Sequence, residues 1–229
     1  MTCSKDLTIS IVIPVYNEAE RVTALMDSLE STRGSCEIIF VDGGSDDGTD
    51  AMVEKRYNLV RSPRKGRSFQ MNYGALLAQG SILLFLHADC RLPEDALDKI
   101  RCEISKGSKV GCFRIRFDSP NPLMKVCSFL SNLRVRKRNI AFGDQGIFIS
   151  KNYFNKLGGY REIPIMEDYQ LSMDIKSDGE DIVQVDSIIE TSERRFLKDG
   201  RLKTMYRMQR LQHMYRNGKS INRIAGLYD

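Results

Sequence analysis

Residues 8–18 read TISIVIPVYNE, an apolar, β-branched run that breaks at Pro14 into a polar loop. Such a run, lacking polar alternation, is the pattern of a strand buried on both faces. Downstream, residues 18–31 place Val22, Leu25, Met26 and Leu29 at helical spacing, the stripe of an amphipathic helix. A second buried strand is expected at 37–41 (EIIFV), closed by Asp42-Gly43-Gly44, and then a short helix at 49–55. A brief strand at 59–60, a helix at 68–79 ended by Gly80, a strand at 81–86 and a helix at 93–106 complete the first half. Repeated strand–helix units with short connections call for an α/β fold, a mostly parallel central sheet flanked by helices. The second half is less regular. Strands are expected at 110–117 and 146–149, extended pieces at 182–185 and 188–189, and helices at 123–133, 167–176 and 201–216. No repeat or linker divides residues 1–229, so a single domain is expected.

Composition narrows the class. With 41% hydrophobic and 28% charged residues, the chain has the balance of a soluble globular protein. Residues 1–6 are polar, unlike a signal peptide. The longest uninterrupted apolar run, 82–86, is far below the roughly 20 residues of a membrane-spanning helix. Cys3, Cys36, Cys90, Cys102, Cys112 and Cys127 show no C-x-x-C pairing, as expected of reduced thiols in a cytoplasmic protein. The net charge of +5 is uneven: residues 194–224 hold ten Lys/Arg against one acid, leaving −4 on the rest. A basic tail on an acidic body points to an anionic partner or, equally, to a solvated helix face.

In open α/β sheets ligands sit beyond the carboxyl ends of the strands. The segments following the first, second and 81–86 strands are Pro14-Val15-Tyr16-Asn17-Glu18, Asp42 to Thr49 (DGGSDDGT), and His87-Ala88-Asp89. An aromatic ring and carboxylates at 42 and 89 are the parts a nucleotide-plus-metal site needs, because Mg²⁺ binds one or two protein carboxylates and completes its shell with substrate phosphates. The loop holding Arg64, Lys65 and Arg67 could add cationic contacts to those phosphates.

These segments resemble glycosyltransferase family 2. The resemblance rests on P-x-Y-N-E (14–18), V-D-G-G-S-x-D-G-T (41–49), N-x-G-x3-A-x-G (72–80), the D-x-D-like triplet 87–89 and the acidic pair Glu167-Asp168, all in order over residues 8–175. The stretches 66–72 and 143–146 (GDQG) resemble a short, single-domain subgroup with no assigned acceptor. The resemblance implies a GT-A fold and inverting transfer from a UDP- or GDP-type sugar to a hydroxyl acceptor. Pro14, Tyr16, Glu18, Asp42, Arg67, Asn72, His87 and Asp89 would bind the nucleotide sugar, and Asp89 would hold Mg²⁺ or Mn²⁺ on the diphosphate. Asp168 would be the base, with Asp144, Gln145 and Glu167 near the sugar or acceptor. Two positions depart from the family pattern. Gly43 replaces a usual Asp that contacts the base, and His87 replaces the first Asp of the triplet.

Two other readings stay open: a nucleotidyltransferase, and a catalytically silent sugar- or lipid-binding relative. The first would carry a Gly-rich, Lys/Arg-bearing loop where this chain has PVYNE. The basic 201–216 helix could rest on anionic lipid at the inner face of a membrane, which would suit a lipid-linked acceptor. Residues 194–196 could instead help close the site, and no nucleic-acid partner is expected.

Overall fold

The computed structural model describes residues 7–32 and 35–228; residues 1–6, with Cys3, lie outside it. Among the described residues eight strands form one sheet: β1 (Ile9–Val15), β2 (Glu37–Asp42), β3 (Asn58–Arg61), β4 (Ile82–Phe85), β5 (Cys90–Arg91), β6 (Val110–Asp118), β7 (Ile147–Ser150) and β8 (Val183–Ser192). Their order is β3-β2-β1-β4-β7-β6-β8-β5. The helices are α1 (Ala19–Leu29), α2 (Thr49–Glu54), α3 (Arg67–Leu77), α4 (Ala96–Ser105), α5 (Pro122–Arg138), α6 (Lys151–Leu157), α7 (Glu167–Ser177), α8 (Arg194–Asp199), α9 (Arg201–Arg216) and α10 (Ile221–Ala225).

The expected α/β order holds, with the sheet parallel through β3, β2, β1 and β4. Beyond β4 it becomes mixed. β7 runs antiparallel to both β4 and β6, β8 is again parallel to β6, and β5 is antiparallel to β8. The two extended pieces expected at 182–189 are one strand, β8, broken in register against β6 between Cys112 and Arg114. α6 was not expected. Ser150 accepts from the Tyr153 amide and Gly158 closes it after seven residues, too few for a helical period to show.

Burial explains why β1 and β4 lack alternation. Ile9, Ile11, Ile13, Ile82 and Leu84 face one core, with Val22, Leu25, Met26 and Leu29 of α1. Val12, Leu83 and Phe85 face the other, with Met71 and Ala75 of α3. α3 lies close on the sheet because Gly74 has no side chain; a Cβ there would meet Val12 at 2.4 Å. A third cluster holds Ile140, Ile165, Met166, Tyr169, Leu211 and Ile224. It lays the C-terminal helices across the turn that opens α7, at the rim where β1, β2 and β4 end. Cys36, Cys90, Cys102, Cys112 and Cys127 are free thiols, as expected.

Candidate active site

The β1–α1 turn is held by the loop after β2. Asn17 sits at φ 53. Its amide donates to Ser45 Oγ (3.0 Å), and its side chain exchanges two hydrogen bonds with Asp46. The Glu18 amide donates to Thr49 Oγ1 and the Ala19 amide to Asp47 Oδ2, both at 2.9 Å. The polar groups of DGGSDDGT are thus largely spent on clasping PVYNE.

Asp42 belongs to this scaffold as well. Expected to contact the nucleotide, it is instead buried, and its carboxylate accepts from the Gly44 and Ser45 amides and from Ser45 Oγ. Two more expected contacts point into the fold. Asn72 exchanges hydrogen bonds with the Tyr160 backbone at 2.8 and 2.9 Å. Gln145 is fully buried, accepting from Arg134 at 3.0 Å and from the Phe142 amide. All three side chains brace loops, through hydrogen bonds to backbone, to Ser45 Oγ or to the buried Arg134.

The remaining candidates line two adjoining chambers. The outer, about 320 Å³, is walled by Pro14, Tyr16, Glu18, Lys65, Gln70 and Arg194. The inner, about 100 Å³, is walled by Asp144, Asp168 and the apolar Phe117, Phe142, Phe196 and Met208. Arg67, His87, Asp89, Glu167, Arg195 and Tyr228 face both. Side chains 16, 89 and 168, distant in sequence, therefore share one cleft, and Asp42 stands behind it.

Gln70, which sequence reasoning missed, explains Gly43. Its amide donates to the Val15 and Val41 carbonyls at 2.8 and 2.7 Å, tying the ends of β1 and β2. A Cβ on Gly43 would sit 3.0 Å from the Gln70 side chain. Gln70 thus fills the space that a side chain at 43 would enter. Its place three residues after Arg67, on the same helix face, was the available signal. Tyr228, beyond the last helix, offered none.

Electrostatics are concentrated around Arg67 and Asp144. Arg67 pairs with buried Glu167 at 3.3 Å. Burial opposes the guanidinium's charge, but Glu167 first, then Tyr228, Asp168 and Asp89, hold its pKa above the ordinary value. Burial raises Glu167 despite Arg67, helped by Asp168. Asp144 is pushed up to about 6 by burial, with Asp168 and Asp89 adding to the rise against Arg134. Burial, Arg67 and Arg195 drive His87 well below its usual value, so its imidazole is neutral. That ring packs on Gly143, where a Cβ would meet it at 2.2 Å. Asp168 accepts from the Gly143 amide at 2.9 Å and from the Tyr169 amide at 2.7 Å. Met166, just before the acidic pair, is left-handed at φ 67, a conformation that persists only where surroundings impose it.

The donors present suit a divalent cation that shares its shell with substrate. His87 Nε2 and Asp144 Oδ1 are buried without hydrogen-bond partners on the cavity that Asp89 also lines. Among the described residues no three His, Cys, Asp or Glu converge to hold a metal alone. Diphosphate oxygens would have to complete the shell.

The basic helix divides its faces. Leu211 of α9 is buried, whereas Leu202 and Tyr206 are 71% and 72% exposed, so the apolar residues of this helix are only partly covered. Arg194 reaches Glu18 at 3.4 Å, and Arg195 stacks over Tyr228 at 4.9 Å. Among the described residues no helix is long and apolar enough to cross a membrane.

Comparison with known proteins places this geometry. The model of glycosyl transferase family 2 matches residues 10–158. The undecaprenyl-phosphate 4-deoxy-4-formamido-L-arabinose transferase of Pseudomonas fluorescens (strain Pf0-1) is 33% identical over 62% of this chain and 45% of its own length. A PGL/p-HBAD biosynthesis glycosyltransferase of Mycobacterium bovis is 33% identical over 66% of this chain and 62% of its own. The chain thus spans less than two thirds of either relative. Among solved structures, the mannosyltransferase PcManGT of Pyrobaculum calidifontis, in complex with GDP-Man and Mn²⁺, superposes with TM-score 0.69 at 18% identity, covering 99% of this chain and 70% of that one. S. aureus TarS 1-349 in complex with UDP-GlcNAc gives 0.66 at 17% identity, covering 82% and 59%. Strand-end loops, cavity and matched span agree: the chain belongs to glycosyl transferase family 2 and has its GT-A fold.

Proposed function

We propose that the protein transfers a sugar, with inversion, from a nucleoside diphosphate sugar to a hydroxyl acceptor. The observation that carries this reading is the common cavity. Asp89 and Asp168 line it together with Arg67 and Arg195. The nucleoside would lie in the outer chamber against Tyr16 and Glu18, with Lys65, Arg67, Arg194 and Arg195 facing its diphosphate. Asp89, with His87 beside it and the substrate diphosphate completing the shell, would hold Mg²⁺ or Mn²⁺, which when bound neutralises charge on the departing diphosphate. Asp168, oriented by the Gly143 and Tyr169 amides, would take the proton from the acceptor hydroxyl as its oxygen attacks the anomeric carbon.

The apolar wall of the inner chamber, Phe117, Phe142, Phe196 and Met208, suits an acceptor with an apolar portion. A lipid-linked acceptor fits that wall, and one relative is named for undecaprenyl phosphate. Exposed Leu202 and Tyr206 beside Lys203 and Arg210 support a peripheral position of α9 on the inner face of a membrane.

The test is titration of the full chain with UDP and GDP, with and without Mn²⁺, followed by donor-sugar turnover in wild type and Asp168→Asn. Tighter nucleotide binding with metal is expected, and a loss of turnover of about 10²–10⁴-fold in the variant with binding unchanged. Absence of diphosphate-nucleotide binding with either base would overturn the proposal.

A further inference from the structure

α5 carries apolar residues on its outward side as well as on the side it buries. A helix on a globular protein ordinarily buries an apolar stripe and shows a polar face. Here the side toward the sheet buries Met124 and Val135, and beside them carries polar groups bonded to β6. Asn132 exchanges hydrogen bonds with the Ile115 backbone at 2.9 and 3.1 Å, and Ser128 Oγ accepts from the Phe117 amide at 3.2 Å. They have a clear task, because β7 pairs with only Val110 and Gly111 of β6 and leaves that strand's later edge open. The outward side carries Val126, Phe129, Leu130 and Leu133, which are 49%, 65%, 49% and 36% exposed. Their spacing at i, i+3, i+4 and i+7 makes one continuous stripe. The helix expected at 123–133 is present, and this stripe on it is uncovered.

Along the helix itself the stripe is bordered by one sign of charge. α5 contains no acid, and Lys125, Arg136, Lys137 and Arg138 are all exposed. The groove between α5 and β6, about 350 Å³, adds Arg114 and Arg116, which are paired with Asp186 and Glu190 of β8, so among the described residues the uncompensated cations of this face are those of α5. We infer that α5 docks on the surface of an anionic phospholipid bilayer, its apolar stripe among the acyl chains and its cations at the headgroups. A stripe of bulky apolar residues flanked by Lys and Arg is what such a surface retains. A second copy of this chain meets the face less well, since a two-fold contact would set these cations against their own counterparts. Phe117 lines both this groove and the inner chamber, so a bilayer under α5 lies next to the site. The inference stands apart from the transferase reading and from α9, because the exposed stripe and the cations of α5 belong to neither.

The experiment is co-sedimentation of the full chain with vesicles of phosphatidylcholine alone and of phosphatidylcholine with 30% phosphatidylglycerol, alongside light scattering for oligomeric state. Binding to the anionic vesicles only is expected, weakening by at least about tenfold in Lys125→Glu/Arg136→Glu/Lys137→Glu. Phe129→Ser/Leu133→Ser, both already exposed, should weaken it similarly while circular dichroism and melting stay those of wild type. Lys203→Glu/Arg210→Glu on α9, where the proposed function puts a second membrane contact, separates the two helices and should weaken binding by no more than about twofold. No vesicle binding, loss of binding only in the α9 variant, or a dimer that dissociates on Phe129→Ser would each overturn the assignment.

Discussion

Gly43 and Gln70 illustrate how one position can reassign another. A side chain at 43 would enter the space Gln70 uses to bridge the Val15 and Val41 carbonyls. Gly43→Asp should therefore destabilise the fold by roughly 1–3 kcal/mol, the usual cost of overpacking. In a Gln70→Ala background the same change should cost clearly less, because contacting residues are not additive; urea unfolding of the four proteins would show it, and equal costs would separate the two sites. Asp144 offers a pH test. Its pKa in the fold, about 6, lies above the ordinary value of 3.8. Its protonated form therefore favours folding, an advantage complete below about pH 4 and lost as pH rises through about 6. In metal-free protein Asp144→Asn should be more stable than wild type at pH 8, by on the order of 1–3 kcal/mol, and no more stable near pH 4. A pH-independent difference between the two melting curves would refute this.

At the scale of elements, α9 links stability to the site. Leu211 is 1% exposed and lies in the cluster with Met166 and Tyr169, and the Tyr215 hydroxyl donates to Gln170. Leu211→Ala should cost about 2–5 kcal/mol of local packing. Because few elements besides α7 receive this helix, the loss should appear as opening of the C-terminal helices, not of the sheet. Limited proteolysis should then cut first after residue 193, with the sheet core left intact; uniform digestion would argue against it. Elements also mark how far the sequence could be read. β1, β2, β4, α1 and α3 were legible because each presents a long apolar pattern to a core. The antiparallel β7, the short α6 and α8, and the outward face of α5 were not, since strand direction and the side a helix presents are decided by packing between distant segments. The site divides the same way. Tyr16, Glu18, His87, Asp89 and Asp168 follow from strand-end position and family pattern. The inward turn of Asp42, Asn72 and Gln145 depends on hydrogen-bond partners 2 to 88 residues away, and which of the available groups each side chain takes is decided by the folded loops.

The whole molecule is a basic arm laid over a more acidic body, and the arm closes the ring at Glu18, 176 residues from Arg194. That pair is too exposed on the arginine side, at 44%, to stabilise the fold by much. Such pairs contribute about 0–1 kcal/mol and weaken with salt. Its consequence for binding is larger, because Arg194 walls the outer chamber and fixes Glu18 beside it. On the proposed function, an anionic diphosphate entering that chamber would meet Lys65, Arg67, Arg194 and Arg195, so charge on the arm would be recruited only when the arm is docked. Arg194→Gln should consequently leave the melting temperature within about 3 °C of wild type, as a change below 1 kcal/mol implies for a chain of this size. Nucleotide affinity at 50 mM salt should fall about tenfold, the effect of one lost charge-assisted contact in a partly enclosed site. Raising the salt to 500 mM should weaken wild-type binding more than that of the variant, bringing the two affinities together. Titration calorimetry at the two ionic strengths would measure this, and parallel salt dependences would mean that Arg194 acts through the shape of the arm, not through its charge.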